Sequence, residues 1–503
     1  MRPLPTRLLA LCNAADAAET LCFAAILTSL RLPDSGRALN EVEAGLAASA
    51  VFAGMLVGGV TGGYLGEARK RAALRACLAL DATAGAALGA LVPALPEPAW
   101  VPAIIAVRFV AGLGVGGSTP IIFALVAEAS PHNAEQRAAD VNTVAWGWTT
   151  GAVFASLAAW LILSAAPGLW RALAFAAAAP AGVALAWMSA ATPAALASPP
   201  PAASVEPPLA APARDEPPAP RAPSPRTEDA FFRGLPPAHQ HQPTGAPPTR
   251  SRVRFALLLA AWFTLNFTTY GVSTWITSVF AKQRDLDDPY LGSLFFALAG
   301  APGNVLGTWL APRLPRRLFA LSAALACALS TAVATLASDE PGGAVVLASC
   351  FFAAFASWAW IALDLVSAEE FPSSTTLGVA AAFGRFGSIV ANMLNPWLLG
   401  RGLVLPVAGL VVLASGVVTE RLAATSPRNA AVEAGAAPHA GEAAAPNQHS
   451  VVGGEALVRG ARVPASSPGV SAAAGVAAGT GSGGAGDSAE AADSEEAVRL
   501  LGR

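Results

Sequence analysis

The chain has 503 residues, of which 54% are hydrophobic and only 13% charged, with a mean hydropathy of +0.52. Soluble domains carry about a quarter charged residues, so an ordinary water-soluble core of this size is excluded. The net charge of −2 and the lack of a basic arm interleaved with aromatics give no footing for nucleic-acid binding.

A bilayer span takes about 20 consecutive apolar residues. The first apolar segment, 8–30, follows Arg2 and Arg7 but is as long as a full span and has no small-residue cleavage exit. It reads as a helix rather than a cleaved leader. Further apolar segments fall at 45–66, 72–95, 99–129, 142–165 and 170–193. Composition then shifts. Residues 194–252 are rich in Pro, Ala and Ser, and such a segment cannot bury enough apolar surface to offset its ordering entropy. A disordered linker is expected there. Six more apolar segments follow, at 253–280, 288–311, 317–338, 341–367, 375–399 and 402–419, and residues 421–503 read as a disordered tail rich in Ala, Gly, Ser and Glu.

Bare loops and open sheet edges cannot sit in lipid, so all twelve segments are expected to be helices. A β-barrel would show short alternating segments instead. The expected fold is an all-α membrane protein of twelve transmembrane helices in two six-helix bundles, residues 1–193 and 253–420. Gly112, Gly114, Gly116 and Gly117 suit close helix–helix approach. Cys12, Cys22, Cys77, Cys327 and Cys350 all lie in apolar segments without metal-type spacing, so neither disulfide nor metal is expected.

Lys and Arg in short loops set orientation. Arg69, Lys70, Arg71 and Arg75 follow the second segment, Arg137 the fourth and Arg313, Arg316 and Arg317 the eighth, while the linker holds Arg214, Arg221, Arg226, Arg233, Arg250 and Arg252. The opposite loops hold fewer: Arg31, Arg37, Arg171, Lys282, Arg284 and Arg401. Both termini, the linker and the tail are therefore expected in the cytoplasm.

A weak repeat relates the halves. Gly63-Tyr64-Leu65-Gly66-Glu67-Ala68-Arg69-Lys70-Arg71 after the second segment answers to Gly307 through Arg317 after the eighth, and Glu128-Ala129-Ser130-Pro131 to Glu369-Glu370-Phe371-Pro372. Transporters are commonly built from such paired halves, with substrate held between them near mid-membrane.

At these residues the chain resembles the major facilitator superfamily. The stretch Arg108-Phe109-Val110-Ala111-Gly112-Leu113-Gly114-Val115-Gly116-Gly117, running on to Glu128, Pro131 and Arg137, is similar to the fourth-helix pattern of its sugar and organic-ion branches. Asp16 and Glu19 in the first helix resemble the start of proteins related to synaptic vesicle protein two. The resemblance covers residues 1–193 and 253–420 and implies a transporter working by alternating access. It implies gating roles for Glu67, Arg69, Arg71, Arg108, Glu128, Arg137 and Glu369. The chain departs from the pattern in placing Pro312 where the second gating loop has an acid, and Trp146-Gly147-Trp148-Thr149-Thr150-Gly151 lacks the G-x-x-x-G-P pattern of drug–proton antiporters.

Charges inside spans cost about 2.5–3.5 kcal/mol each on insertion scales and mark functional candidates. Asp16 and Glu19, three apart, share a helix face. Carboxyl groups in low dielectric take up protons more readily, so the two read as a proton-coupling pair. The alternatives are a structural ion pair with Arg108 or Arg385, or a water-exposed position. Arg385, in a Gly384-Arg385-Phe386-Gly387 that resembles the family's eleventh-helix motif, and Arg108 have the fork to hold a carboxylate or phosphate, or to brace helices. Asp364 is a candidate for solute contact. Asp81 is expected to pair with the basic second loop or a helix end. Asn266 and Tyr270, four apart on the seventh helix, are expected on one face toward a solute, or else in packing, as with Trp275, Trp358 and Trp360.

Glu496-Ala497-Val498-Arg499-Leu500-Leu501 fits an acidic dileucine pattern, which sorts eukaryotic membrane proteins to endosomes, vacuoles or lysosomes through an adaptor. The expected location is a plasma, endosomal or vacuolar membrane. No Ser/His/Asp or metal-type cluster supports an enzyme; His132, His239, His241, His439 and His449 lie in loops, linker or tail. No cofactor is expected. The sequence favours a secondary transporter of a small organic solute, coupled to protons, over a receptor or scaffold of the same fold. The acids admit proton coupling or an organic cation as substrate, and the arginines an anion.

Overall fold

The computed structural model describes residues 4–31, 38–129, 134–196, 248–283, 285–339, 342–371 and 374–424. Residues 197–247 and 425–503, and with them the pattern at Glu496, Leu500 and Leu501, lie outside this set. Twelve helices among the described residues are long and apolar enough to cross a membrane. They are α1 (Thr6–Leu30), α2 (Glu41–Gly62), α3 (Arg69–Ala94), α4 (Glu97–Ala129), α5 (Ala134–Leu163), α6 (Trp170–Leu196), α7 (Pro248–Phe280), α8 (Pro289–Leu310), α9 (Arg316–Leu336), α10 (Gly342–Glu370), α11 (Ser374–Gly400) and α12 (Val404–Ala424). Helices thus take in both edges of the segment read as linker.

Local sequence explains the helix ends. Asn40 caps α2: its side chain accepts from Glu43 N, and the Glu43 carboxylate accepts from Asn40 N, a reciprocal arrangement that satisfies two otherwise orphan donors. Asp288 caps α8, with Pro289 opening the helix where no donor is needed. The break between α2 and α3 comes at Arg69, whose φ of −144° and ψ of 55° are non-helical.

Helix pairings repeat between the halves. In the first, α1 packs on α5 and α6, α3 on α6, and α2 and α3 on α4; in the second, α7 packs on α11 and α12, α9 on α12, and α8 and α9 on α10. The halves meet through α1 with α7, α2 with α11 and α5 with α8.

Lipid offers no hydrophobic drive between helices, so close packing must supply it, and small residues allow that. Gly54, Gly58 and Gly62 line one edge of α2 and lie against Gly112, Leu113 and Gly117 of α4. A Cβ at Gly54 would sit 2.1 Å from Phe109 O, and one at Gly62 2.4 Å from Gly117 Cα. The corresponding pairs α1–α5 and α7–α11 use Gly147 and Gly151, and Gly384 and Gly387, in the same way.

Side-chain contacts between the halves run from mid-helix toward the end where α1 turns into α2 and α7 into α8. The hydroxyls of Thr28 and Ser278 are 2.7 Å apart and those of Ser29 and Tyr290 3.0 Å. Ser164 donates to Asp288 Oδ2 at 2.5 Å, Ser49 to Ile389 O at 3.2 Å, and the Arg31 guanidinium lies 5.2 Å from the Trp275 ring centre. Lys282, at this end, donates to Leu399 O at 2.9 Å. Burial and the nearby Arg31 push its ammonium below the usual lysine range, against the pull of Glu41. At the opposite end, ion pairs brace each half internally: Lys70 with Glu128 in the first; Arg254 with Glu370, Arg316 with Glu369 and Arg317 with Glu420 in the second.

Candidate functional site

A cavity of about 210 Å³ lies between the halves, walled by α1, α5, α7, α8 and α10. Its polar groups are neutral and come chiefly from short hydroxyls, among them Thr149, Ser156, Thr269, Ser273, Ser293 and Ser357. Its flat apolar surface comes from Trp148, Tyr270, Phe296, Phe352 and Trp360. Such a lining suits a ligand with an apolar body and a few hydrogen-bonding groups.

Tyr270 is the hub of the cavity's aromatic floor. Its ring centre lies 5.2 Å from Phe52, 6.2 Å from Trp148 and 6.3 Å from Trp360, each met edge-on. Phe52 and Trp148 belong to one half and Tyr270 and Trp360 to the other, so the cluster joins them. The Arg385 guanidinium sits 4.9 Å from the Tyr270 ring centre, within cation–π range. Its Nη1 is buried without a hydrogen-bond partner.

A second constellation lies inside the first half, one turn of α1 away from Cys22 on the cavity wall. Arg108 Nη1 donates to Glu19 Oε1 at 2.7 Å and to Glu19 O at 3.2 Å, with both side chains almost wholly buried. The Phe23 ring covers the guanidinium at 4.2 Å. Ser118 donates to Asp16 Oδ2 at 2.5 Å, while Asp16 Oδ1 has no partner. Asp81, from α3, is buried beside all of these with neither carboxyl oxygen hydrogen-bonded. α4 can carry Arg108 and Ser118 into this space because Gly114 between them presses on α3 at Asp81, where a Cβ would meet Asp81 N at 3.0 Å.

The structure distributes the residues singled out from sequence among three places. Asp16, Glu19 and Arg108 meet in the buried constellation; Glu19 and Arg108 form the structural pair that stood as an alternative. Arg108 is therefore far from the loop ends. Asp81 is not with the basic second loop, as expected, but in the same buried cluster, because α3 turns that face toward α1 and α4. Tyr270 is on the cavity wall and Arg385 stacks on it. Asn266 does not share that exposure: its amide donates to Trp262 O at 2.8 Å and packs against Gly384. Asp364 is half-buried on α10, one turn beyond Trp360. Of the gating residues, Glu128 and Glu369 form the ion pairs described above, with Lys70 and Arg316 as partners; Arg69 marks the break before α3, near Arg71. The side chains of Glu67 and Arg137 lie outside the described set. Trp275 is buried and donates to Asn392 Oδ1 at 2.9 Å, and Trp358 donates to Gly303 O at 2.8 Å.

Sequence reading passed over the short hydroxyls of the wall and Ser118, since Ser and Thr in apolar helices carry no signal of their own until a partner is known.

A family model described as Major Facilitator Superfamily matches residues 10–392. The niacin transporter NiaP of Acinetobacter baylyi is 30% identical over 142 residues, 27% of this chain and 32% of that protein. The chain thus aligns with about a third of that relative. The inner membrane metabolite transport protein YgcS of Escherichia coli is 27% identical over 362 residues, 69% of this chain and 75% of that protein. Among solved structures, a D-xylose-proton symporter superposes with a TM-score of 0.62 at 16% identity, covering 82% of this chain and 96% of that chain. The inward-open xylose transporter XylE of Escherichia coli gives 0.61 at 15% identity, covering 83% and 95%.

Proposed function

The chain belongs to the Major Facilitator Superfamily, and from that premise we propose that it is a proton-coupled secondary transporter that moves a small organic anion by alternating access. The observation that carries the substrate class is Arg385. A guanidinium with a buried, unpartnered Nη1 stacks on Tyr270, a residue of the cavity wall, and no carboxylate pairs with it among the described residues. Leaving a buried donor unsatisfied is costly, and a solute carboxylate supplies what it lacks, in the forked geometry that guanidinium favours. The aromatic floor then takes a flat apolar body. The niacin transporter NiaP is named for an aromatic carboxylate, which accords with this class.

Proton coupling is assigned to Asp16. It is wholly buried, is held at one oxygen by Ser118, and sits about one and a half turns of α1 from Leu21 of the cavity wall. Glu19 is engaged by Arg108 and acts as the fixed partner. With the orientation read from the loop arginines and lysines, the end braced by Lys70–Glu128 and Arg316–Glu369 faces the cytoplasm. The contacts of Thr28, Ser29 and Ser164 then close the cavity from the outside, and alternating access exchanges these two sets of contacts.

Purified protein in proteoliposomes, offered labelled nicotinate and a panel of sugars and organic cations with and without an inward proton gradient, tests this reading. Nicotinate uptake that needs the gradient and fails in Asp16→Asn is the expected result. Uptake of a sugar or cation but no carboxylate overturns the anion assignment. Gradient-independent uptake overturns proton coupling. Binding without movement of any solute would favour the receptor reading instead.

A further inference from the structure

We propose that Asp81 is a proton-binding residue in its own right, so that the buried constellation of α1, α3 and α4 holds two exchangeable protons rather than one. The inference deepens the proton-coupled reading above and rests on it for its use in the transport cycle.

The groups facing Asp81 can be named from every side. α1 brings Asp16, Glu19 and Cys22; α4 brings Arg108; α3 itself carries Cys77 one turn away. Across from Gly85 and Gly89, α6 brings Ala178 and the Arg171 carbonyl, and its stretch 172–188 has no titratable side chain. Three carboxyl groups therefore share one guanidinium. Arg108 gives Nη1 to Glu19, to its side chain and its backbone carbonyl, while Nε and Nη2 are buried without a hydrogen-bond partner. Asp16 has one donor, Ser118. Asp81 is 1% exposed and has none, with both oxygens sealed from solvent.

An isolated buried carboxylate is among the costliest arrangements in a protein. A cation, a donor or a proton can relieve it; at Asp81 the described residues supply no hydrogen-bond donor, and the nearby Arg108 cation is hydrogen-bonded to Glu19 instead. A proton converts the carboxylate to a neutral acid by forming one O–H bond, with no other bond changed. It also gives Asp81 a donor to offer its neighbours, where Asp16 Oδ1 is the free acceptor. A proton arriving at either aspartate lowers the repulsion on the other, so the two titrate as a pair.

Infrared difference spectroscopy of the full chain in liposomes, titrated with pH in water and in deuterium oxide, reads this directly. Wild type should show a deuterium-sensitive carboxylic-acid C=O band near neutral pH. Asp81→Asn should lose about one carboxyl's share of it, and Asp16→Asn should keep Asp81's share. Unchanged intensity in folded Asp81→Asn, absence of the band in wild type, or its complete loss in Asp16→Asn would each overturn the proposal. Should Asp81→Asn not fold, Asp81→Glu decides: the longer carboxyl should shift about one carboxyl's share of the band in frequency, and an unmoved band in folded Asp81→Glu overturns the proposal. Nicotinate uptake by wild-type proteoliposomes is run beside it: uptake indifferent to a proton gradient defeats the coupled reading while leaving the band, and hence the site, standing.

Discussion

Arg108 Nη1 meets Glu19 Oε1 at 2.7 Å with both side chains shut away from solvent, so the first half is pinned across α1 and α4 by a buried ion pair. Removing one partner of such a pair leaves an uncompensated charge, at a cost of about 3–5 kcal/mol, whereas replacing both with apolar groups is often neutral. Glu19→Gln and Arg108→Gln are each expected to lower the melting temperature in detergent sharply. The double variant Glu19→Leu/Arg108→Met should recover most of the loss. A double variant as unstable as the singles would argue that the pair's shape, not its charge balance, holds the helices.

The glycine seam between α2 and α4 predicts a graded packing response. Gly54→Ala puts a methyl 2.1 Å from Phe109 O, a backbone atom that cannot move aside alone. Overpacking of this kind costs about 1–3 kcal/mol. Gly182→Ala, in α6, meets nothing within 4 Å and should be neutral or slightly stabilising. A thiol-reactive melt comparing the two separates the seam from the general effect of adding a methyl to a helix.

For Arg385, hydrogen bonds to a charged group are worth roughly 1.5–3 kcal/mol, about a 10- to 150-fold change in affinity. Arg385→Gln is expected to raise KM for nicotinate by a factor in that range with kcat less affected. Arg385→Lys should recover part of the loss, since it keeps the charge but not the fork. Equal KM in all three proteins would remove Arg385 from the binding site.

The ion pairs at the braced end are partly exposed, and such pairs contribute about 0–1 kcal/mol each. Glu369→Gln and Glu128→Gln should therefore leave the melting temperature nearly unchanged. An accessibility assay on a cysteine placed at Ser49, where α2 meets α11, should instead show labelling altered by no more than about fivefold. A large loss of stability would mean these pairs hold the fold rather than its balance of states.

Ser118 offers a finer test of coupling. Ser118→Ala strips Asp16 of its one donor and should move the pH profile of uptake, while Ser118→Thr keeps the hydroxyl and should leave it in place. A profile unmoved by Ser118→Ala would detach Asp16 from proton handling.

The sequence by itself determined the spans, the helical class and the family. Apolar length and backbone hydrogen bonding leave only helices in lipid, and the fourth-helix run from Arg108 to Gly117 lies within the residues that the family model matches. It also marked Asp16, Glu19 and Arg108 as costly, because a charge in an apolar run is visible wherever the helix faces. Only the tertiary structure decided what those charges meet. Which way α3 is rotated put Asp81 beside Asp16 and not the basic loop; on one face of α7 the cavity opens at Tyr270, while a turn earlier Gly384 of α11 lies close enough to cover Asn266. In a helix apolar all round, periodicity does not separate the lipid face, the packing face and the cavity face. Rotation is set by partners far away in the chain, such as the glycine edges of α2 and α11, and so is the identity of the site.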